Sequence, residues 1–226
     1  LMLRLTELTL PVDHDEAALR QAVLARLGIA DAELLELVIF RRGYDARRKS
    51  ELRFVYTLDL ALRDEASILA RHQGDARIGP APDTAYRSVA QAPTQLPHRP
   101  LVVGFGPCGL FAALLLAQMG FRPIVLERGR NVRERTQDTW GLWRRSVLDP
   151  ESNVQFGEGG AGLFSDGKLY SQIKDPKHYG RKVIAEFVRA GAPEEIVYVS
   201  KPHIGTFRLT GVVARMREEI ISLGGE

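Results

Sequence analysis

The chain has 226 residues, 45% of them hydrophobic and 26% charged, an ordinary globular composition that argues against disorder. A single cysteine, Cys108, excludes an internal disulfide, no Cys/His spacing suggests zinc, and a reducing, cytoplasmic compartment is the expectation. The net charge of +3 permits anionic ligands without implying nucleic acid.

No membrane span is expected. The most apolar stretch, Leu110–Met119, has ten residues, whereas a spanning helix needs about 20. Leu1–Leu10 is apolar, but Arg4 and Glu7 interrupt it and Pro11 follows, which does not fit a signal peptide.

Residues 1–72 read as a small α+β module. Leu3, Leu5, Leu8 and Leu10 predict a strand whose alternation slips near Thr6–Glu7, as a bulge would cause. Asp15 is placed to cap a helix with Leu19, Val23 and Leu27 on one face, and Gly28 to end it. Leu34–Arg41 is an apolar strand. From Leu52 to Leu62 apolar residues alternate with Arg53, Thr57 and Asp59, a strand with one buried and one wet face. A helix over Glu65–His72 gives the order βαββα, a ferredoxin-like half.

Residues 73–100 hold five of the twelve prolines and no apolar periodicity, and read as an irregular connector. Residues 101–226 form the second domain. Strand Leu101–Gly104, helix Pro107–Met119 and strand Pro123–Glu127 make a βαβ unit. A charged helix over Asn131–Leu148 follows. Asp175-Pro176 predicts a helix start and Gly191 its end; Ile196–Val199 reads as a strand, and Thr210 as the cap of a last helix. A further strand is expected after Gly225, so the reading is an α/β, Rossmann-type domain that continues in a longer protein.

Gly104-Phe105-Gly106-Pro107-Cys108-Gly109 matches G-x-G-x-x-G. Gly104 suits the tight turn, Gly106 a close backbone approach to pyrophosphate, and Gly109 close helix–strand packing. The helix start offers free N–H groups and a partial positive charge to phosphates. Glu127 ends the next strand 18 residues after Gly109, where a ribose-binding acid is expected. A strand–turn–helix with incidental glycines is the alternative. A helix-start thiol can be activated, but Cys108 lacks a redox partner in sequence.

A second cluster runs from Gly157 to Lys168, with five glycines in the eleven residues Gly157–Gly167. Such a loop can wrap an anion or a flat ring, or can be a plain surface loop. Gly162 to Lys168 also spells G-x-x-x-x-G-K. Leu169 stands where a P-loop needs Ser or Thr, so that reading is rejected.

The first cluster with Glu127-Arg128-Gly129 resembles the FAD-binding start of flavoproteins of the glutathione-reductase type. Asn153–Leu169 and Lys201-Pro202-His203-Ile204-Gly205-Thr206, with Asp45–Lys49 and Phe54–Thr57, resemble the FAD-dependent, or NAD(FAD)-utilizing, dehydrogenases, in which an α+β module precedes the flavin domain. Phe207 departs from that pattern, which has an acid after Gly-Thr. The resemblance implies an oxidoreductase using FAD, with NAD(P)H as a candidate electron donor. It places cofactor contacts at Gly104, Gly106, Pro107, Cys108, Gly109, Glu127, Arg128, Gly159, Gly160, Ala161, Gly162 and Lys168. It names no catalytic residue or substrate.

Two basic groups remain. Arg41, Arg42, Arg47, Arg48 and Lys49 form a hairpin tip around Tyr44 that could track RNA phosphates, giving the alternative of a nucleotide-dependent scaffold binding RNA or a protein. Solvated hairpin charge is the simpler reading, since no paired aromatic stacking motif accompanies it. Arg128, Arg130, Arg133 and Arg135 read as the exposed face of a helix start.

Overall fold

The computed structural model describes residues 2–48 and 50–226, so Lys49 of the basic tip lies outside the described residues. Two compact units emerge: Leu1–Thr84 with Val197–Pro202, and Ala85–Ile196 with His203–Glu226. Among the described residues, no helix is long and apolar enough to cross a membrane.

The first unit contains β1 (Leu3–Pro11), α1 (Glu16–Leu27), β2 (Leu34–Asp45), β3 (Arg53–Leu62), α2 (Glu65–Arg71) and β4 (Ile78–Pro80). The strands form one antiparallel sheet in the order β2-β3-β1-β4. Alternation along β3 buries Tyr56, Leu58, Leu60 and Leu62, which pack with Leu3 and Leu5 of β1 and Leu19, Val23 and Leu27 of α1. On the opposite face Arg4 makes two hydrogen bonds to Asp59 across the β1–β3 pair, at 2.7 and 2.8 Å. The slip in β1 is a register shift between Leu5 and Leu8, with Glu7 at φ 57°. Asp15 accepts the Ala18 N–H at 2.7 Å, and Gly28 ends α1 in the left-handed conformation.

Two boundaries differ from the sequence reading. The connector is not irregular throughout: Ile78–Pro80 is β4, which pairs with β1 and completes a β-α-β-β-α-β order. Ile78 is buried there, but one apolar residue among prolines carries no periodicity. Ile196–Val199 is not a strand of its own. A 3₁₀ turn covers Glu194–Val197, and the chain then pairs with β2: the Arg42 N–H donates to Tyr198 O at 2.7 Å and Ser200 N–H to Arg42 O at 3.0 Å. Backbone pairing at a sheet edge needs no sequence signature.

The second unit contains β5 (Leu101–Val103), α3 (Pro107–Gln118), β6 (Ile124–Leu126), α4 (Val132–Arg145), α5 (Tyr179–Arg189) and α6 (Thr206–Ser222). β5 and β6 pair in parallel, with α3 between them in sequence. Val102 and Val125 pack against a core built from Leu110, Ala113 and Leu114 of α3 and Val212, Val213 and Met216 of α6. Leu101, Val103 and Leu126 are exposed. The far edge of β6 is paired too: Val125 N–H donates to Glu226 O, and Glu226 N–H to Pro123 O.

Two helix starts move. α5 begins at Tyr179 rather than Pro176, yet Asp175 still accepts the Tyr179 and Gly180 N–H groups at 3.0 and 2.7 Å. α6 begins at Thr206, and Thr210 lies inside it with its hydroxyl on Phe207 O. A Ser or Thr hydroxyl bonds a preceding helical carbonyl as readily as it caps, so sequence alone does not separate the two roles.

Candidate functional site

The first glycine loop joins β5 to α3. Gly104 leaves the strand at φ 92°, a conformation that favours glycine. Gly106 is the N-cap and Pro107 the first helical residue, whose missing N–H costs nothing there. A Cβ on Gly109 would lie 1.9 Å from Gly104 O and 3.4 Å from Val102 Cγ1, so only hydrogen fits between helix and strand. Cys108 is exposed in the first turn of α3.

Glu127 follows β6 and reaches back to this loop. Its Oε2 accepts the Phe105 N–H at 2.6 Å and its Oε1 the Gly129 N–H at 2.9 Å. The carboxylate thus ties two strand ends together, a role the spacing argument does not contain. It also lines a cavity of about 200 Å³ with Phe105, Val125, Arg130 and Asn131. Arg128 is not brought to the loop. It makes two bonds to Glu151, both 3.0 Å, and stacks on Phe156 at 4.1 Å.

The second cluster packs on the first. Gly159 N–H donates to Phe105 O at 2.8 Å. A Cβ on Gly160 would lie 3.0 Å from Gly106 Cα, and one on Gly162 3.0 Å from Pro107 Cγ. The space in front of Gly106, which the motif reserves for a pyrophosphate, faces Gly160 Cα at 3.8 Å from its ideal Cβ. Ala161 is exposed and opens a 3₁₀ turn, Ala161–Phe164. Lys168 is exposed, bridges His203 through the backbone, and lines an apolar cleft of about 280 Å³ with Pro107, Phe111 and Leu169. No helix follows Lys168 before Tyr179, so the G-x-x-x-x-G-K string builds no P-loop.

Arg135 overturns part of the sequence reading. Arg128, Arg130 and Arg133 are exposed, but Arg135 is 0% exposed. Its Nε donates to Asn153 O at 2.7 Å and its Nη2 to Val154 O at 2.8 Å. Its Nη1 reaches Gly157 O at 3.3 Å, Glu158 O at 2.7 Å and Gly160 O at 2.8 Å. Burial pushes its pKa down, and the nearby charges of Glu127 and Glu158 push it back up. Val132, Arg135 and Thr139 share one helical face, and all three are buried.

Glu158, in the same loop, is 3% exposed. It accepts the Val132 N–H at the start of α4 at 2.7 Å and two contacts from Arg217 of α6 at 2.9 and 2.7 Å. The segment that carries the second cluster is therefore pinned by α4 and by α6.

Two carboxylates, Asp45 and Glu51, lie among the cations of the basic hairpin. Arg47 binds Asp45, whose pKa that hydrogen bond lowers to about 2, and Arg53 binds Glu51 at 2.7 Å. Arg42 stacks on Phe54 at 4.6 Å and on Tyr198 at 5.0 Å.

Residues 2–61 match a domain of unknown function, DUF8436. An uncharacterized protein of Clostridium beijerinckii is 42% identical over 225 residues, which cover 99% of this chain and 42% of the relative. The chain thus spans less than half the length of the curated relative it matches.

Proposed function

We propose that this chain carries the adenosine-diphosphate end of a FAD site in a flavin-dependent oxidoreductase. In this reading a Rossmann-type βαβ unit follows a ferredoxin-like module, in a cytoplasmic protein. The carrying observation is the meeting of two glycine clusters at the start of α3, joined by the Gly159–Phe105 hydrogen bond, with Glu127 at their base.

The residues present fit the ligand's chemistry. The first turn of α3 presents the Cys108 and Gly109 N–H groups, in the orphan positions of a helix start, to a phosphate. Glu127 is acceptor-only with about four lone-pair sites, and its two backbone bonds leave capacity for ribose hydroxyls from the cavity it lines. A carboxylate there disfavours a 2′-phosphate, so FAD or NAD is preferred over NADP as the resident ligand. When bound, FAD would supply hydride and electron transfer, and the protein supplies binding and orientation. NAD(P)H as electron donor belongs to the same reading.

The scaffold alternative, with the hairpin binding RNA, has less support. Arg47 and Arg53 are each engaged by a carboxylate, and Phe40 on the open sheet face lies under Arg4 at 3.5 Å. Calorimetric titration of the protein with FAD, NAD and ADP tests the proposal. Binding of FAD and ADP, weakened by Glu127→Ala, is expected; absence of binding by all three overturns it.

A further inference from the structure

Arg135 is a buried cation with five carbonyl contacts and, among the described residues, no carboxylate hydrogen-bonded to it. Burying such a charge is costly, and removing it leaves several carbonyls unpaired. Packing alone would be served by an apolar side chain, which raises the question of what the charge does.

The hydrogen bonds give an answer. Arg135 Nη1 holds Glu158 O at 2.7 Å; across the same planar peptide, Gly159 N–H donates to Phe105 O at 2.8 Å. Phe105 N–H in turn donates to Glu127 at 2.6 Å. The peptides that Arg135 orients thus reach the first glycine loop at Phe105 O, while Glu127 is held by the separate peptide that carries Phe105 N–H. Arg135 also holds Gly160 O at 2.8 Å, so the Ala161 N–H of that peptide points away from the guanidinium.

We infer that Arg135 is the positioning residue of the anion site: it orients the peptides of the second glycine cluster and adds a fixed positive charge behind them for a diphosphate. This rests on the dinucleotide reading above. Arg135 touches no ligand in this scheme. It acts through the peptides of residues 158–161 and through its field, which a low-dielectric setting strengthens.

The test compares ADP with adenosine, which lacks the charge, on the chain and on Arg135→Met and Arg135→Lys. In Arg135→Met, ADP affinity is expected to fall about tenfold, through loss of a buried charge acting at an intermediate dielectric. Adenosine affinity should change less than about twofold, because its ribose contact at Glu127 persists. Equal losses for both ligands would make Arg135 a scaffold only and overturn the inference.

Should Arg135→Met not fold, Arg135→Lys carries the test by itself. A buried lysine loses its proton at lower pH than a free one, among the facing charges of Glu127, Glu158 and Arg217. Its ADP affinity should then fall between about pH 7 and 9 while adenosine affinity and the unsubstituted chain stay flat. A flat ADP profile overturns the inference. Failure of the unsubstituted chain to bind ADP, adenosine or FAD would instead bring down the dinucleotide reading itself.

Discussion

The two glycine clusters differ in what makes glycine necessary. In the first, the constraint is local: Gly109 is crowded by Gly104 O, five residues earlier on the same turn. In the second, it is tertiary. A Cβ on Gly157 would meet Arg135 Cδ at 2.6 Å, one on Gly160 would meet Gly106 Cα at 3.0 Å, and one on Gly167 would meet Ile204 Cβ at 3.0 Å. A local constraint repeats as a motif, because strand, turn and helix impose it wherever they occur together. A tertiary one depends on what a distant segment brings up.

Substitutions can break this comparison at graded cost. The largest effect is expected for Gly109→Ala. Its Cβ would sit 1.9 Å from a backbone oxygen, beyond what side-chain motion can relieve, so a loss of about 3 kcal/mol or more is expected in chemical denaturation. Gly129→Ala comes next. Its Cβ would lie 2.4 Å from Gly157 Cα and 2.8 Å from Glu151 O. A backbone shift of the second cluster should cost about 2 kcal/mol, read as a lower melting temperature.

Gly106→Ala sharpens the contrast. Nothing lies closer to its Cβ than Gly160 Cα at 3.8 Å, and stability should fall by only about 0.5–1 kcal/mol through the weaker N-cap. ADP affinity should nevertheless drop roughly tenfold, because the methyl group stands between the helix N–H groups and a phosphate. Equal ADP binding by this variant would remove the phosphate from the front of Gly106. The smallest effect on ligand binding is expected for Glu127→Gln. The amide keeps an acceptor oxygen for the Phe105 N–H but turns its NH2 toward the Gly129 N–H, so stability should fall by about 1–3 kcal/mol. Adenosine affinity should weaken severalfold, since a charged acceptor binds hydroxyls more strongly than a neutral one.

Much of the architecture was legible. The strict alternation in β3 marked its buried face at Tyr56, Leu58, Leu60 and Leu62, because a strand sends successive side chains to opposite faces. Asp15 and Gly28 marked the ends of α1 through local hydrogen bonding and φ. The meeting of Gly104–Gly109 with Glu127 was legible from spacing, because a short βαβ unit brings its strand ends together. Arg128 could not be separated from its neighbours: its partner, Glu151, lies 23 residues away.

What the sequence by itself determined is the local grammar: the strand periods, the caps, and a first loop in which glycine is required by its own turn. Tertiary structure alone decided that β4 completes the sheet, that residues 198–200 pair with Arg42, and that Arg135 is buried. The physical reason is shared by all three. Backbone pairing is blind to side-chain identity, and an arginine looks the same in sequence whether its guanidinium meets water or the carbonyls of a loop folded over it.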